Sequence, residues 1–165
     1  EISACLVGSE MCIRDSGQMN AGWTIERQEI NAADGATGAP GDITIYKDGA
    51  IFKAIEVTER PIDGSRVDST FSTKITLNNA AEYLFVYTND LPRENALERA
   101  KAYFAQGYNI NFASITDLTI HILLSGDEAF RTAYNERMFE LFNAQDVQAT
   151  IKVAWNDALT EAMQA

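Results

Sequence analysis

Two short apolar-rich runs flank Asp48-Gly49, DITIYK and IFKAIEVT, and the Asp-Gly pair between them is the signature of a two-residue hairpin turn. Asp42 to Lys47 and Ile51 to Thr58 are therefore expected to pair, with Pro61 stopping the second strand. Upstream, WTIERQEIN (Trp23 to Asn31) has the composition of an opening strand, and the small-residue stretch AADGATGAPG after it suits only a loop. RVDSTFSTKITLNNA is ambiguous between helix and irregular structure, whereas EYLFVYT reads as a buried strand. From Arg93 the apolar period becomes helical. Leu97, Ala100 and Phe104 share a stripe closed by Gly107, and a short strand follows at Ile110 to Ala113. Ser114 or Thr116 then caps a helix containing Leu118, His121 and Ile122. Phe130, Tyr134, Met138 and Leu141 mark the next helix behind Asp127, and Val147, Ile151, Trp155 and Leu159 mark the last. Strands first and helices last predict an α/β fold, a mixed β-sheet flanked by helices with a helical C-terminal part.

The first residues break this pattern. CLVGSEMCIRDS, Cys5 to Ser16, resembles the translation of a sequencing-library adapter, so residues 1–16 are expected to lie outside the fold. Residues 17–165 are then expected to form one domain, truncated at its N-terminus. Both cysteines, Cys5 and Cys12, fall in the adapter-like run, leaving no cysteine for disulfides or thiolate metal sites and making a cytoplasmic address the default. No apolar run approaches the roughly 18 residues a membrane helix needs. A formal charge of -11 argues against a wholly basic nucleic-acid surface, although a local basic strip can sit on an acidic body.

The hairpin carries two residues a strand would not choose, Asp42 and Glu56. Alternation puts Phe52, Ala54, Glu56 and Thr58 on one face, with Lys53, Ile55 and Val57 on the other. A buried carboxylate must be protonated, paired, placed at a sheet end or bound to a metal. An edge charge that discourages aggregation is one reading, and a shared cation site is the other.

The combination GDITIY, then AIEVTERP, across a tight turn resembles the metal-binding hairpin of PD-(D/E)XK nucleases. Together with INAADGATGAPGDITIY and RAKAYFAQGYNINFASITDLTIHILLSGDEAFRTAYNERM, it is similar to the C-terminal half of type II restriction endonucleases of the SacI family, from about Ile30 onward. The resemblance implies a restriction-endonuclease-like core that hydrolyses double-stranded DNA at a specific site with Mg²⁺, in a homodimer. It places the metal ligands on Asp42, Glu56 and the carbonyl of Val57. It also places Thr58 where the family pattern has lysine. Threonine has no cation to offer, so either another residue supplies one or the chain is a catalytically impaired DNA-binding or assembly subunit. Arg60, Arg66 and Lys74 follow the strand and are candidates for DNA-phosphate contact or for the missing cation. Asn31 and Asp34 recur in the resemblance but equally suit a turn.

Other residues invite less. His121, the single histidine, is expected to be a core or interface residue. Glu26 and Glu29 read as exposed strand charges, and GATGAPG lacks the lysine of a phosphate loop. Removing residues 1–16 should leave the denaturant midpoint unchanged to within a few tenths of a kcal/mol. A loss of several kcal/mol would identify a real strand there.

Overall fold

The computed structural model describes residues 22–27, 39–143 and 149–164. Its five strands form one sheet in chain order: β1 (Trp23–Arg27), β2 (Ile43–Lys47), β3 (Ala50–Thr58), β4 (Glu82–Tyr87) and β5 (Asn109–Ser114). β1, β2 and β3 run antiparallel, and β3, β4 and β5 parallel. Parallel neighbours need crossovers. The first contains α1 (Gly64–Thr70), a π turn (Phe71–Ile75) and α2 (Thr76–Asn78); the second contains α3 (Glu94–Phe104). α4 (Ile115–Ser125) follows β5 directly. The chain divides into two compact units with the break between Ser125 and Gly126; α5 (Glu128–Asn143) and α6 (Ala149–Gln164) lie in the second. The mixed sheet and its helices agree with the α/β class expected from the sequence.

The hairpin turns as its Asp-Gly pair dictates. Asp48 and Gly49 both have positive φ, 52° and 79°, which suits the twist of the flanking strands. A bulge then intervenes, since Ile45 pairs with Lys53 but Tyr46 with Ile51. Phe52 is the extra residue, so alternation slips by one beyond it. Ile51 packs with the helix-side core, and Phe52 is exposed, against the simple alternation expected from sequence.

Each sheet face has its own apolar cluster. Ala54, Tyr83, Phe85 and Ile110 meet Val67, Ile75, Ala96 and Ala100 from the crossover helices. On the other face Ile43, Ile45, Ile55 and Val86 cluster with Ile115. α1 and α3 approach closely because the contact is small and polar: the Gly64 N–H donates to Asn95 Oδ1 at 3.0 Å. The Tyr103 hydroxyl donates to Asp68 at 2.7 Å, and Phe71 stacks on the Tyr103 ring.

The expected stripe on α3 is rotated. Ala96 and Ala100 face inward, whereas Leu97 and Phe104 are exposed, because small residues let the helix sit close to α1. RVDSTF is helical, started by Asp63, whose carboxylate accepts from the Arg66 N–H. Ser114 is the cap of α4, accepting from the Asp117 N–H at 2.9 Å, and His121 is exposed instead of buried. In the second unit Asp127 caps α5, and Phe130, Tyr134 and Met138 are buried as expected. Trp155 is half-buried; Val147 and the side chains of Leu141, Ile151 and Leu159 lie outside the described residues, as do residues 1–16.

Gly41 enters β2 against the backbone of β3. A Cβ there would lie 2.6 Å from the Ile55 carbonyl oxygen, which cannot move without shifting the strand. Gly41→Ala should cost about 1–3 kcal/mol in a denaturant titration, the range for forced overpacking. An unchanged midpoint would show that the strands do not approach this closely.

Candidate functional site

The antiparallel register pairs Ile43 with Ile55, and extending it by one residue sets Asp42 opposite Glu56. Opposed residues share a face. Both carboxylates therefore stand on the face that carries Ala54, beneath the crossover helices, at the end of β3 away from the hairpin turn. Asp42 is held there by the backbone, since the Val57 N–H donates to its Oδ2 at 2.7 Å. The side chain of Val57 points to the opposite cluster.

Glu56 is buried, with 7 % of its surface exposed, and its carboxylate accepts three side-chain hydrogen bonds. Arg66 Nη2 lies 2.7 Å from Oε1, while Lys74 Nζ at 2.9 Å and the Tyr83 hydroxyl at 2.7 Å both reach Oε2. Burial by itself would raise the pKa of Glu56. The Lys74 charge and the hydrogen bonds from Tyr83, Arg66 and Lys74 outweigh it, and hold the carboxyl below its ordinary value. Burial pushes the Tyr83 hydroxyl well up, helped by the charge and hydrogen bond of Glu56 and by the charge of Asp42. Tyr83 is thus a donor throughout the physiological range.

The elements explain the convergence. Arg66 sits one turn into α1, three residues after its cap, and Lys74 sits in the π turn that continues it. Tyr83 pairs with Ala54 in the parallel register, so its ring lies on the same face as Glu56. Thr58 lies on that face too, buried, and its Oγ1 accepts from the Arg60 N–H at 3.1 Å. Its hydroxyl ends the strand. Arg60 is exposed just beyond.

Of the sequence candidates, the structure brings together Asp42, Glu56, Arg66 and Lys74, and leaves Thr58 two residues along the strand. Asn31, Asp34 and Glu29 lie outside the described residues. Lys53 is turned to Phe52, 5.9 Å from its ring centroid, and Glu26 accepts from the Tyr46 hydroxyl on the surface. Tyr83 was not among the candidates. Its alternation with Phe85 and Tyr87 was readable, but which strand lay beside it, and in what register, was not.

Two carboxylates side by side suggest repulsion, yet each oxygen of Glu56 faces a cation. Among the described residues no group of three or more His, Cys, Asp or Glu side chains could hold a metal ion. No helix among them is long and apolar enough to cross a membrane.

Residues 10–89 match the family model of the SacI restriction endonuclease C-terminal domain, a span containing Asp42, Glu56, Thr58, Arg66, Lys74 and Tyr83. The match supports a restriction-enzyme-related function. No curated protein matches the chain.

Because the folded pKa of Glu56 lies below the ordinary 4.5, its contribution to stability is present above that pH and is lost as pH falls through the folded value. Glu56→Gln should destabilise the protein at neutral pH by about 1–3 kcal/mol. That is less than the about 3–5 of a fully buried broken pair, because the cations are partly solvated. The variant should also lose less stability than the parent as pH falls below 4.5. Parallel acid limbs in denaturant titrations would mean that this carboxylate is not ion-paired.

Proposed function

We propose that the chain is the nuclease part of a type II restriction endonuclease with a PD-(D/E)XK-type core, hydrolysing phosphodiester bonds of double-stranded DNA at a specific site. The observation that carries this reading is the convergence of Asp42 and Glu56 on one sheet face, with Arg66 and Lys74 on the same carboxylate. An acidic pair alone would be a sheet-edge charge. An acidic pair with cations pointed into it matches a reaction that brings both a metal and a phosphate to one place.

The donor set fits Mg²⁺. A hard cation that keeps several waters needs only one or two protein carboxylates. A carboxylate has about four acceptor positions, and Glu56 uses three of them, so one remains. Asp42 and Glu56 would hold the ion. When bound it would polarise the scissile phosphate and lower the pKa of a water. The protein's own part is positional. The Val57 N–H fixes Asp42, Tyr83 fixes one oxygen of Glu56, and the basic side chains offset the phosphate charge brought by DNA on an otherwise acidic chain. Cleavage of both strands of a symmetric site would call for a homodimer, and such an enzyme works in the cytoplasm beside its DNA.

A second reading, a DNA-binding or assembly subunit without catalysis, is favoured by one observation: Thr58 carries no cation and its hydroxyl is engaged by the backbone. Magnesium titration separates the two. On the nuclease reading, Mg²⁺ raises the melting temperature of the full chain and supports cleavage of a DNA library. Asp42→Asn should abolish cleavage and remove most of that thermal shift. If parent and Asp42→Asn give the same Mg²⁺ response by calorimetry, the pair is not a metal site.

A further inference from the structure

We infer that Lys74, carried on the crossover helix, supplies the cation that the strand lacks at Thr58, and that the π turn is what delivers it. The inference rests on the nuclease reading above and goes past it in naming the residue and the backbone device.

Winding carries the argument. Lys74 lies eight residues after Arg66. In an uninterrupted α-helix of 3.6 residues per turn those two side chains would be offset by about 80°. Between them the helix loosens: the Thr76 N–H bonds to the Phe71 carbonyl, five residues back, and the segment Phe71–Ile75 has π geometry. That under-winding takes out most of the offset, and both side chains reach the same carboxylate, Arg66 on Oε1 and Lys74 on Oε2. The turn is built for its place. Ile75 remains buried in the helix-side cluster, and the Thr76 hydroxyl accompanies its N–H in donating to the Phe71 carbonyl.

Position and access separate Lys74 from its neighbours. A lysine two residues beyond Glu56 on the strand would share the face of Glu56, and Lys74 presents its ammonium to that face from above. Its side chain is a quarter exposed, leaving it an approach from solvent that the Tyr83 hydroxyl does not have. Arg60 is beyond the strand end and exposed, and Lys53 points the other way. Arg66 is a rigid fork suited to holding a phosphate, whereas a flexible ammonium can follow charge as it moves.

The reaction consumes one water. Its oxygen bonds to phosphorus, the bond from phosphorus to one sugar oxygen breaks, a proton from the water goes to solvent, and the departing sugar oxygen takes a proton from solvent. Negative charge grows on the attacking oxygen and the phosphoryl oxygens. An ammonium beside Glu56 stabilises that charge, a contribution of about 10²–10³ in rate for a well-placed donor.

The test uses the full chain, a DNA library and Mg²⁺. Lys74→Ala should lower cleavage at least about a hundredfold. By calorimetry it should bind Mg²⁺ as tightly as the parent or more so, because a competitor for Glu56 is gone. Placing the cation back on the strand, Thr58→Lys with Lys74→Ala, should recover at least about a tenth of parental cleavage. Lys74→Gln, which keeps a donor to Glu56 but not the charge, guards against a folding defect: it should unfold in one cooperative transition, less destabilised than Lys74→Ala, and still fail to cleave. Parental cleavage by Lys74→Ala or Lys74→Gln, with Asp42→Asn inactive, overturns this inference and leaves the nuclease reading standing. Loss of Mg²⁺ binding in Lys74→Gln overturns it as well, because the lysine would then only shape the metal site. A parent chain that neither binds Mg²⁺ nor cleaves overturns both.

Discussion

A carboxylate buried in the middle of an apolar strand is the constraint on which the rest of this fold is arranged. Glu56 stands between Ile55 and Val57 on β3, and an uncompensated charge there would cost several kcal/mol. The sheet supplies one donor, Tyr83 from β4, and the crossover helix supplies two, Arg66 and Lys74. Those three donors come from positions 10 to 27 residues away in sequence. The carboxylate thereby fixes the parallel pairing of β3 with β4 and the rotation of the helix between them. Apolar packing of Val67 and Ile75 would tolerate sliding; three hydrogen bonds to two oxygens do not.

The same geometry brings Asp42 close by. It enters from the antiparallel neighbour, opposite Glu56, and is secured by a main-chain N–H on the strand that Glu56 occupies. Gly41 permits this entry by letting the backbone of β2 run against the Ile55 carbonyl. One carboxylate is neutralised by side-chain cations and the other is oriented by a peptide dipole.

Sequence reading located the hairpin, the two acids and the basic residues near them, because those depend on local rules: an Asp-Gly turn, alternation, and a strand interrupted by charge. It did not resolve what depends on three-dimensional register. Tyr83 was visible only as one aromatic in a strand, since nothing local states that Ala54 lies beside it. RVDSTF is ambiguous in sequence because its serine and threonine favour turns as readily as helices. On α3 the stripe of Leu97, Ala100 and Phe104 holds at Ala100 alone, and Ala96 joins it in the core because close helix approach requires small side chains. Phe52 and Ile51 exchanged faces through a bulge that no pattern in the strand announces.

Thr58, where the resemblance to PD-(D/E)XK nucleases implies a lysine, has a structural part of its own. At the last position of β3 a β-branched residue suits the extended backbone, and its hydroxyl accepts the Arg60 N–H that the strand no longer pairs. A lysine there would add a third cation beside Glu56, where Arg66 and Lys74 already occupy both oxygens. Like charges on that face repel one another, so a strand lysine would be better tolerated once the helix lysine is gone. With the cation on the helix, the strand end is free to close with a hydroxyl. The irregularity is then shifted to Phe71–Ile75, where an under-wound turn is stabilised by the stacking of Phe71 on Tyr103.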